Sequence, residues 1–399
     1  MYYAPSLIFI ILSLLCCNQS TFGQNKPLWQ FKTQGAIVSS PAIHENTIYF
    51  GSADGHLFAL NRENGVEIWK YKTEGKVHGS PLLIEDLVIV NNSLGELLAL
   101  EQASGKLKWK FISKGEKRLD MWDYYLSSPV SDGKHIFWGS GDGHLYALDH
   151  SNGKLKWKFL TGGIIHARPL YHEGKLYIGS FDGYMYALHA EQGELIWKFK
   201  TVGDAYFPKG EIQRGATLQN GTLYFGSRDF NVYALDATTG TGKWNMKERG
   251  SWVVSLPLAD DQYVYFGTSD THAFYCFDAQ TGEVIWKRHL GMRVYGGAQR
   301  YQDRIYFGCF DGVLYGLNRA NGKIEWSFAT EGNRQNRQEV FDESGNFRQG
   351  FELYGADMET SEQKILAMGS ILGTPLIDPT NGIIYFGSTD GNFYAVRLN

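Results

Sequence analysis

A tryptophan recurs at a nearly constant spacing through almost the whole chain. The eight copies lie 40 to 48 residues apart, and they are Trp29, Trp69, Trp109, Trp157, Trp197, Trp244, Trp286 and Trp326. Seven of them follow a turn that ends in glycine, and an apolar run such as Tyr-Ala-Leu precedes that turn. A unit of about 40 residues cannot bury both of its faces alone, so this spacing predicts an array of stacked units.

Each unit carries the signals of four antiparallel strands. An Asp-Gly turn between two alternating apolar runs marks one hairpin, because glycine accepts the positive φ that a tight turn needs. Clear copies are Asp54-Gly55, Asp142-Gly143, Asp182-Gly183, Asp311-Gly312 and Asp390-Gly391, with degenerate copies at 94–95, 229–230 and 270–271. The glycine turn before the tryptophan marks a second hairpin, and a further run supplies the first strand. Such a unit matches one blade of a β-propeller.

The two ends of the chain complement each other. The last unit stops at Asn399 without a closing turn or a tryptophan, whereas Trp29 has no unit before it. If the N-terminal strand completes the last sheet, eight turns match eight tryptophans and no sheet edge is left exposed. We therefore predict an all-β fold, an eight-bladed propeller of four-stranded antiparallel blades. It forms a single domain over residues 24–399, with an inserted loop at about 331–366.

The first 23 residues differ from the rest. The segment Leu7 to Cys17 is apolar but too short to span a bilayer comfortably, and small residues follow it before position 24. This pattern predicts a signal peptide cleaved after Gly23, and lipidation of Cys16 or Cys17 is the alternative. The mature chain is then exported to the periplasm, the cell surface or the medium, with no transmembrane span.

Charge and cysteine content narrow the possible partners. The net charge is −4 without a basic cluster, which argues against nucleic acid as a partner. Cys276 and Cys309 occupy non-equivalent places in neighbouring repeats, so we interpret them as buried small side chains rather than a disulfide.

The segments ALDATTGTGKW (234–244) and CFDAQTGEVIW (276–286) resemble the Trp-docking repeat of the pyrroloquinoline-quinone-type propellers. The resemblance covers residues 27–399 and implies the propeller fold. That superfamily includes quinoprotein alcohol dehydrogenases, the propeller lipoprotein of the outer-membrane β-barrel assembly machinery, and non-catalytic repeat proteins. The present chain is similar in layout to that lipoprotein, but a shared fold does not decide among these functions.

Quinoprotein members hold the quinone on the axis, between a tryptophan and a disulfide of adjacent cysteines, beside Ca²⁺. The only adjacent cysteines here are Cys16 and Cys17, inside the predicted signal peptide. We therefore expect no cofactor. The eight repeated tryptophans are expected to be structural docking residues, and the turn aspartates to cap their own backbone rather than bind metal.

Candidate functional residues lie where the repeats differ. Three residues before the proline of each innermost strand, or before Thr217 or Ala298 where these replace it, half of the eight positions are apolar. The other four are His78, His166, Arg214 and Tyr295, and Arg168 follows His166 by two residues. If these side chains face the axis, they form either a basic ligand site or part of a polar, water-filled tunnel.

Three insertions precede innermost strands and should emerge on one face of the disc. They cover residues 116–126, 203–214 and 331–364, and they carry Trp122, Tyr206 and Lys209 among others. Exposed aromatic residues mixed with polar groups suit a protein or a sugar surface, although they can also plug one end of the ring. The longest insertion is polar enough to stay partly disordered until something binds.

Two functions fit this pattern. The favoured one is a monomeric, non-catalytic propeller that binds a protein or a polymer such as polysaccharide through its loop-bearing face. Its ligand-binding candidates are Arg168, Arg214, Trp122 and Lys209.

The alternative is a lyase acting on a uronic-acid polysaccharide, and a quinone-dependent dehydrogenase ranks third. In a lyase an arginine neutralises the substrate carboxylate, a histidine removes a proton and a tyrosine protonates the leaving oxygen. The candidates for the last two roles are His78, His166, Tyr206 and Tyr295.

Overall fold

The computed structural model describes residues 26–398. These residues form eight sheets of four antiparallel strands each, which confirms the predicted eight-bladed propeller. The predicted signal peptide, its cleavage site and Cys16 and Cys17 lie outside the described residues, so they stay predictions. No helix in the described part of the chain has the length and apolar character needed to cross a membrane.

The first four blades follow the chain in order, from the innermost strand to the outermost. Blade 1 contains β2 (Ala42–His44), β3 (Thr47–Gly51), β4 (His56–Asn61) and β5 (Glu67–Lys72). Blade 2 contains β6 (Leu82–Ile84), β7 (Leu87–Asn91), β8 (Glu96–Glu101) and β9 (Leu107–Ile112). Blade 3 contains β10 (Val130–Ser131), β11 (His135–Gly139), β12 (His144–Asp149) and β13 (Leu155–Leu160). Blade 4 contains β14 (Leu170–His172), β15 (Lys175–Gly179), β16 (Tyr184–His189) and β17 (Leu195–Lys200).

The remaining blades repeat this order up to the closure. Blade 5 contains β18 (Thr217–Gln219), β19 (Thr222–Gly226), β20 (Asn231–Asp236) and β21 (Gly242–Lys247). Blade 6 contains β22 (Leu258–Ala259), β23 (Tyr263–Gly267), β24 (Ala273–Asp278) and β25 (Val284–His289). Blade 7 contains β26 (Ala298–Tyr301), β27 (Arg304–Gly308), β28 (Val313–Asn318) and β29 (Ile324–Ala329). Blade 8 contains β30 (Leu376–Asp378), β31 (Ile383–Gly387), β32 (Asn392–Arg397) and β1 (Trp29–Lys32).

Blade 8 joins the two ends of the chain. Strand β1 pairs antiparallel with β32, with Trp29 opposite Ala395 and Lys32 opposite Asn392. The closure predicted from the repeat count is therefore confirmed. Every sheet packs against its two neighbours, which buries the aromatic and branched side chains between the blades.

The repeated tryptophans connect each blade to the next. In seven blades the indole N–H donates to a backbone carbonyl of the following blade, at Nε1–O distances of 2.9–3.1 Å. The accepting residues are Arg62, Gln102, His150, Ala190, Ala237, Ala279 and Arg319. The indole also covers the turn glycine of that blade so closely that a Cβ on Gly322 would lie 2.5 Å from Trp286. A glycine is therefore needed there.

Trp326 of blade 7 is the exception. Its side chain is 5% exposed, yet its indole N–H has no hydrogen-bond partner among the described residues. The turn that Trp326 would dock on belongs to blade 8, where the chain ends after β32 and restarts at β1. The interface between blades 7 and 8 therefore lacks the bond that joins the other blades.

The insertion after β29 is folded. It contains α1 (Glu331–Asn336), a short 3-10 turn (Arg337–Glu339) and α2 (Met358–Ala367). Val340 and Ile365 are fully buried in the core under it. The expectation of partial disorder was therefore wrong, because a few apolar residues spaced along a polar segment are enough to anchor it.

Helix α1 contacts both blades beside it. The backbone N–H of Gly332 donates to Asp390 of blade 8 at 2.8 Å, and that of Glu331 donates to the Tyr394 hydroxyl at 2.9 Å. The side-chain amide of Asn333 donates to the carbonyl of Asp311 in blade 7 at 2.6 Å. The helix thus bridges blades 7 and 8.

The two cysteines of the described chain are free and buried. Cys276 lies opposite Trp286 in the ladder of blade 6, at the place where six other blades have an alanine within Tyr-Ala-Leu or a similar run. It therefore serves as a small apolar side chain beside the indole.

Trp286→Phe should destabilise the propeller more than Trp326→Phe. Both indoles are at least nine-tenths buried, but only Trp286 donates a hydrogen bond, to the Arg319 carbonyl at 2.9 Å. Losing that bond costs about 1 kcal/mol beyond the shared loss of ring area. Urea unfolding of the two variants measures the difference. Equal losses would mean that the docking bond contributes nothing to stability.

Candidate functional site

The three insertions gather on one face of the disc, as predicted. Each precedes an innermost strand, and these strands all run away from that face. The turn aspartates lie on it too and cap their own turns: Asp182 accepts from the N–H of Tyr184 at 2.9 Å. The same carboxylate also accepts from the N–H of Gly162 at 2.7 Å, which ties the turn to the neighbouring loop.

A pocket of about 320 Å³ opens on this face, and we call it the loop-face pocket. Its apolar lining includes Trp122, Phe207, Phe230, Trp252 and Tyr354. The ring of Phe207 lies 5.1 Å from that of Trp252, and the ring of Trp122 lies 6.0 Å from Trp252 and 6.1 Å from Tyr354. All three insertions therefore contribute a ring to one aromatic wall.

The buried side chain of Arg228 holds this aromatic wall in place. Its side chain is 2% exposed, forms an ion pair with Asp120 and donates to Gln213 at 2.9 and 3.0 Å. The guanidinium also lies 4.3 Å from the ring centre of Trp252. Sequence analysis missed Arg228, although it is the only charged residue at its place in the eight turns.

Two tyrosines of the first insertion close the axis on the loop-bearing side. Tyr125 reaches across to blade 8, where its hydroxyl donates to the carbonyl of Leu372 at 3.1 Å. The Tyr124 hydroxyl donates to Glu362, which also pairs with Arg293 at 3.2 Å. The alternative that aromatic residues plug one end of the ring therefore holds for these two side chains.

His166 is locked between two carboxylates. Its Nδ1 lies 3.0 Å from Asp123 and its Nε2 lies 3.1 Å from Glu116. Burial lowers the pKa of His166, but the hydrogen bonds and charges of Asp123 and Glu116 outweigh burial and raise that pKa to about 9. The imidazolium thus holds the first insertion against blade 4.

A second cavity lies on the other side of Tyr125, and we call it the axial cavity. It measures about 370 Å³ and its lining includes His78, His166, Arg168 and Arg214. The Arg214 guanidinium lies over the Tyr125 ring at 3.7 Å from the ring centre. Burial, helped by the charges of Lys76 and Arg118, lowers the pKa of His78 to about 4, so its imidazole is neutral.

The four catalytic candidates are not brought together. His78 and His166 line the axial cavity, and both ring nitrogens of His166 are already engaged. Tyr295 is 1% exposed, lines the loop-face pocket and shares a hydrogen bond with Ser269 at 2.8 Å. Tyr206 is 83% exposed and lines neither cavity. Lys209 is exposed in the same insertion as Tyr206.

The residues of the axial cavity do not fit a quinone cofactor. Its lining contains neither a tryptophan nor a cysteine, and the described cysteines are buried singly in blades 6 and 7. The described residues also contain no group of three His, Cys, Asp or Glu side chains arranged to hold a metal ion.

A family model described as outer membrane protein assembly factor BamB matches residues 22–122, 118–207 and 182–399. The chain belongs to this family. No curated protein sequence matches it.

Solved structures share the propeller of this BamB-family chain at low sequence identity. BamB from Moraxella catarrhalis is 18% identical with a TM-score of 0.70, covering 94% of this chain and 98% of that one. Sqt1 from Saccharomyces cerevisiae is 11% identical with a TM-score of 0.74, covering 94% and 100%. The quinohemoprotein alcohol dehydrogenase from Comamonas testosteroni is 12% identical with a TM-score of 0.70, covering 93% and 76%. At these identities the likeness establishes the fold alone.

His166→Gln should flatten the pH dependence of stability of this BamB-family propeller in the alkaline range. The pKa of His166 is raised to about 9 from an ordinary value of 6.5. The stabilisation by the protonated ring is therefore complete below about pH 6.5 and lost as pH rises through about 9.

The predicted loss is about 3 kcal/mol across that interval, because one pKa unit corresponds to about 1.4 kcal/mol. Urea unfolding at several pH values measures it, with His172→Gln on the surface as the control. If the unfolding free energy of the wild type fell with rising pH no more steeply than that of His166→Gln, a protonated His166 would be refuted.

Proposed function

We propose that this chain is an exported, non-catalytic propeller that binds a protein partner through the loop-face pocket, in the assembly of outer-membrane proteins. The family match supports a role in the assembly of outer-membrane proteins, and it supports export of the chain. The observation that carries the binding role is the pocket itself, because its aromatic wall is built from insertions that the other blades lack.

The chemistry of the pocket favours an apolar anchor on the partner. Its rings present an apolar surface to solvent, and Tyr354 at its edge is 52% exposed. Its two carboxylates are already paired with cations, because Asp120 pairs with Arg228 and Asp270 pairs with Arg293 at 3.8 Å while accepting a hydrogen bond from the Tyr354 hydroxyl. A buried aromatic or aliphatic side chain of a partner segment therefore gains most from entering it.

The pocket is also rigid enough to be specific. Arg228 ties Asp120 of the first insertion to Gln213 of the second, and Arg293 ties Tyr354 of the third insertion to the core at 3.2 Å. Because both guanidinium groups are buried and hydrogen-bonded, the rings are held in place before a partner arrives. Binding then loses little side-chain entropy.

Replacing Trp122 and Phe207 by alanine should weaken partner binding at least tenfold, since aromatic anchors in such pockets each contribute about 2 kcal/mol or more. The partner is first identified by photo-crosslinking in envelopes from a photoreactive residue at position 230. Its affinity for the purified chain is then measured by calorimetry.

Ile68→Ala is the matched control, since Ile68 is 49% exposed on an outermost strand. Equal affinity of the double variant, the control and the wild type would refute the pocket as the binding site, provided that the variants melt cooperatively.

The lyase alternative keeps one supporting observation. His78, which is neutral, shares the axial cavity with Arg168 and Arg214. The tyrosine donors suggested from the sequence do not line that cavity. We expect no new ultraviolet absorbance when the mature chain is incubated with uronic-acid polysaccharides. If the wild type produced such absorbance and His78→Ala did not, the protein would be an enzyme and the proposed binding role would be wrong.

A further inference from the structure

The axial cavity contains two cations without counter-ions. Neither Arg168 nor Arg214 forms an ion pair with the described residues, and the buried Nε of Arg214 has no hydrogen-bond partner among them. The crowding of surrounding atoms is the main influence lowering the pKa of both guanidinium groups, and the charge of Arg214 adds to it at Arg168. The two like charges line one cavity, with the Arg168 side chain exposed to solvent and the Arg214 side chain partly buried.

A chain of hydroxyl groups runs around the same cavity. The backbone N–H of Gly297 donates to Thr374, that of Thr374 to Ser40, that of Ser40 to Ser80, and that of Ser80 to Ser128. These N–O distances are 2.9–3.1 Å. Each hydroxyl oxygen therefore accepts one bond, while none of the four O–H groups has an acceptor among the described residues. They are free to donate into the cavity.

The hydroxyl is absent from this position in blades 4 to 7. The residues that replace it are Arg168, Ala216, Leu256 and Gly297, of which Gly297 still donates its backbone N–H to Thr374. Arg168 follows Ser128 in the order of blades, and it is solvent-exposed rather than bonded to its neighbour. A guanidinium group thus stands where a hydroxyl would otherwise continue the ring, beside Arg214 of the next blade.

The cavity offers donors but no carboxylate. Its lining contains no aspartate or glutamate, and the nearby Glu116 and Asp123 are both held by His166. Neutral His78 adds no charge. Its volume of about 370 Å³ suits a small molecule, because small-molecule sites begin at about 300 Å³.

We propose that the axial cavity binds a small anion, a carboxylate or a phosphate, between Arg168 and Arg214, with the ring hydroxyls donating to its other oxygens. A planar guanidinium matches two oxygens of either group at once. This site goes beyond the proposed protein-binding role, because Tyr125 separates it from the loop-face pocket.

Binding is tested on the mature chain with inorganic phosphate and with succinate, at constant ionic strength. We expect a saturable rise in melting temperature with at least one of them, and calorimetry then gives Kd. Arg168→Gln should raise Kd at least tenfold, because it removes a charge-assisted pair of hydrogen bonds. Arg168→Lys should give an intermediate Kd, since it keeps the charge and loses the planar fork.

Arg249→Gln is the matched control, since it removes one exposed arginine that lies outside the cavity. Arg168 is itself exposed, so its replacement leaves the fold intact. A response to phosphate alone identifies a phosphate ligand, and a response to succinate alone a carboxylate. No saturable response to either, or the same Kd for Arg168→Gln and Arg249→Gln, would overturn the proposal without touching the protein-binding role.

Discussion

The antiparallel pairing of β1 with β32 is the interaction on which the rest of the propeller depends. It brings residues from opposite ends of the chain into one sheet, with Trp29 beside Ala395. Without it, blade 8 would have three strands and Trp29 could not reach the carbonyl of Arg62 in blade 1. The ring would then expose a sheet edge, and a free edge invites pairing with other chains. Because the closure completes blade 8, every blade packs against a neighbouring blade on both sides.

In the closed ring, the residues that repeat in every blade hold the blades together. The residues that differ between blades line the two candidate sites. The first insertion shows this division within a few residues. Trp122 faces the loop-face pocket, whereas Tyr125 closes the axis and supports Arg214 from above. The same short segment therefore shapes two separate sites, and His166 anchors it by holding Asp123 and Glu116.

The repeat made the fold predictable because its signals are local. A turn, an alternating run and a tryptophan recur within 40 to 48 residues, so blade number and closure follow from counting. The sites were only partly predictable, since their geometry depends on distant contacts. Arg228 meets Asp120 across 108 positions, and Tyr125 meets Leu372 across 247. His166 was singled out correctly as unusual, but nothing in the sequence showed that two carboxylates would pair with its two ring nitrogens.

The bridge made by α1 between blades 7 and 8 has a mechanical consequence. This is the interface where the Trp326 indole lacks, among the described residues, the hydrogen bond found at the other seven. Helix α1 lies across that seam and holds Asp390 and Tyr394 from one side and Asp311 from the other. The long insertion therefore bridges two blades and also forms part of the pocket wall. If the proposed partner contacts this insertion, it contacts the same segment that bridges blades 7 and 8.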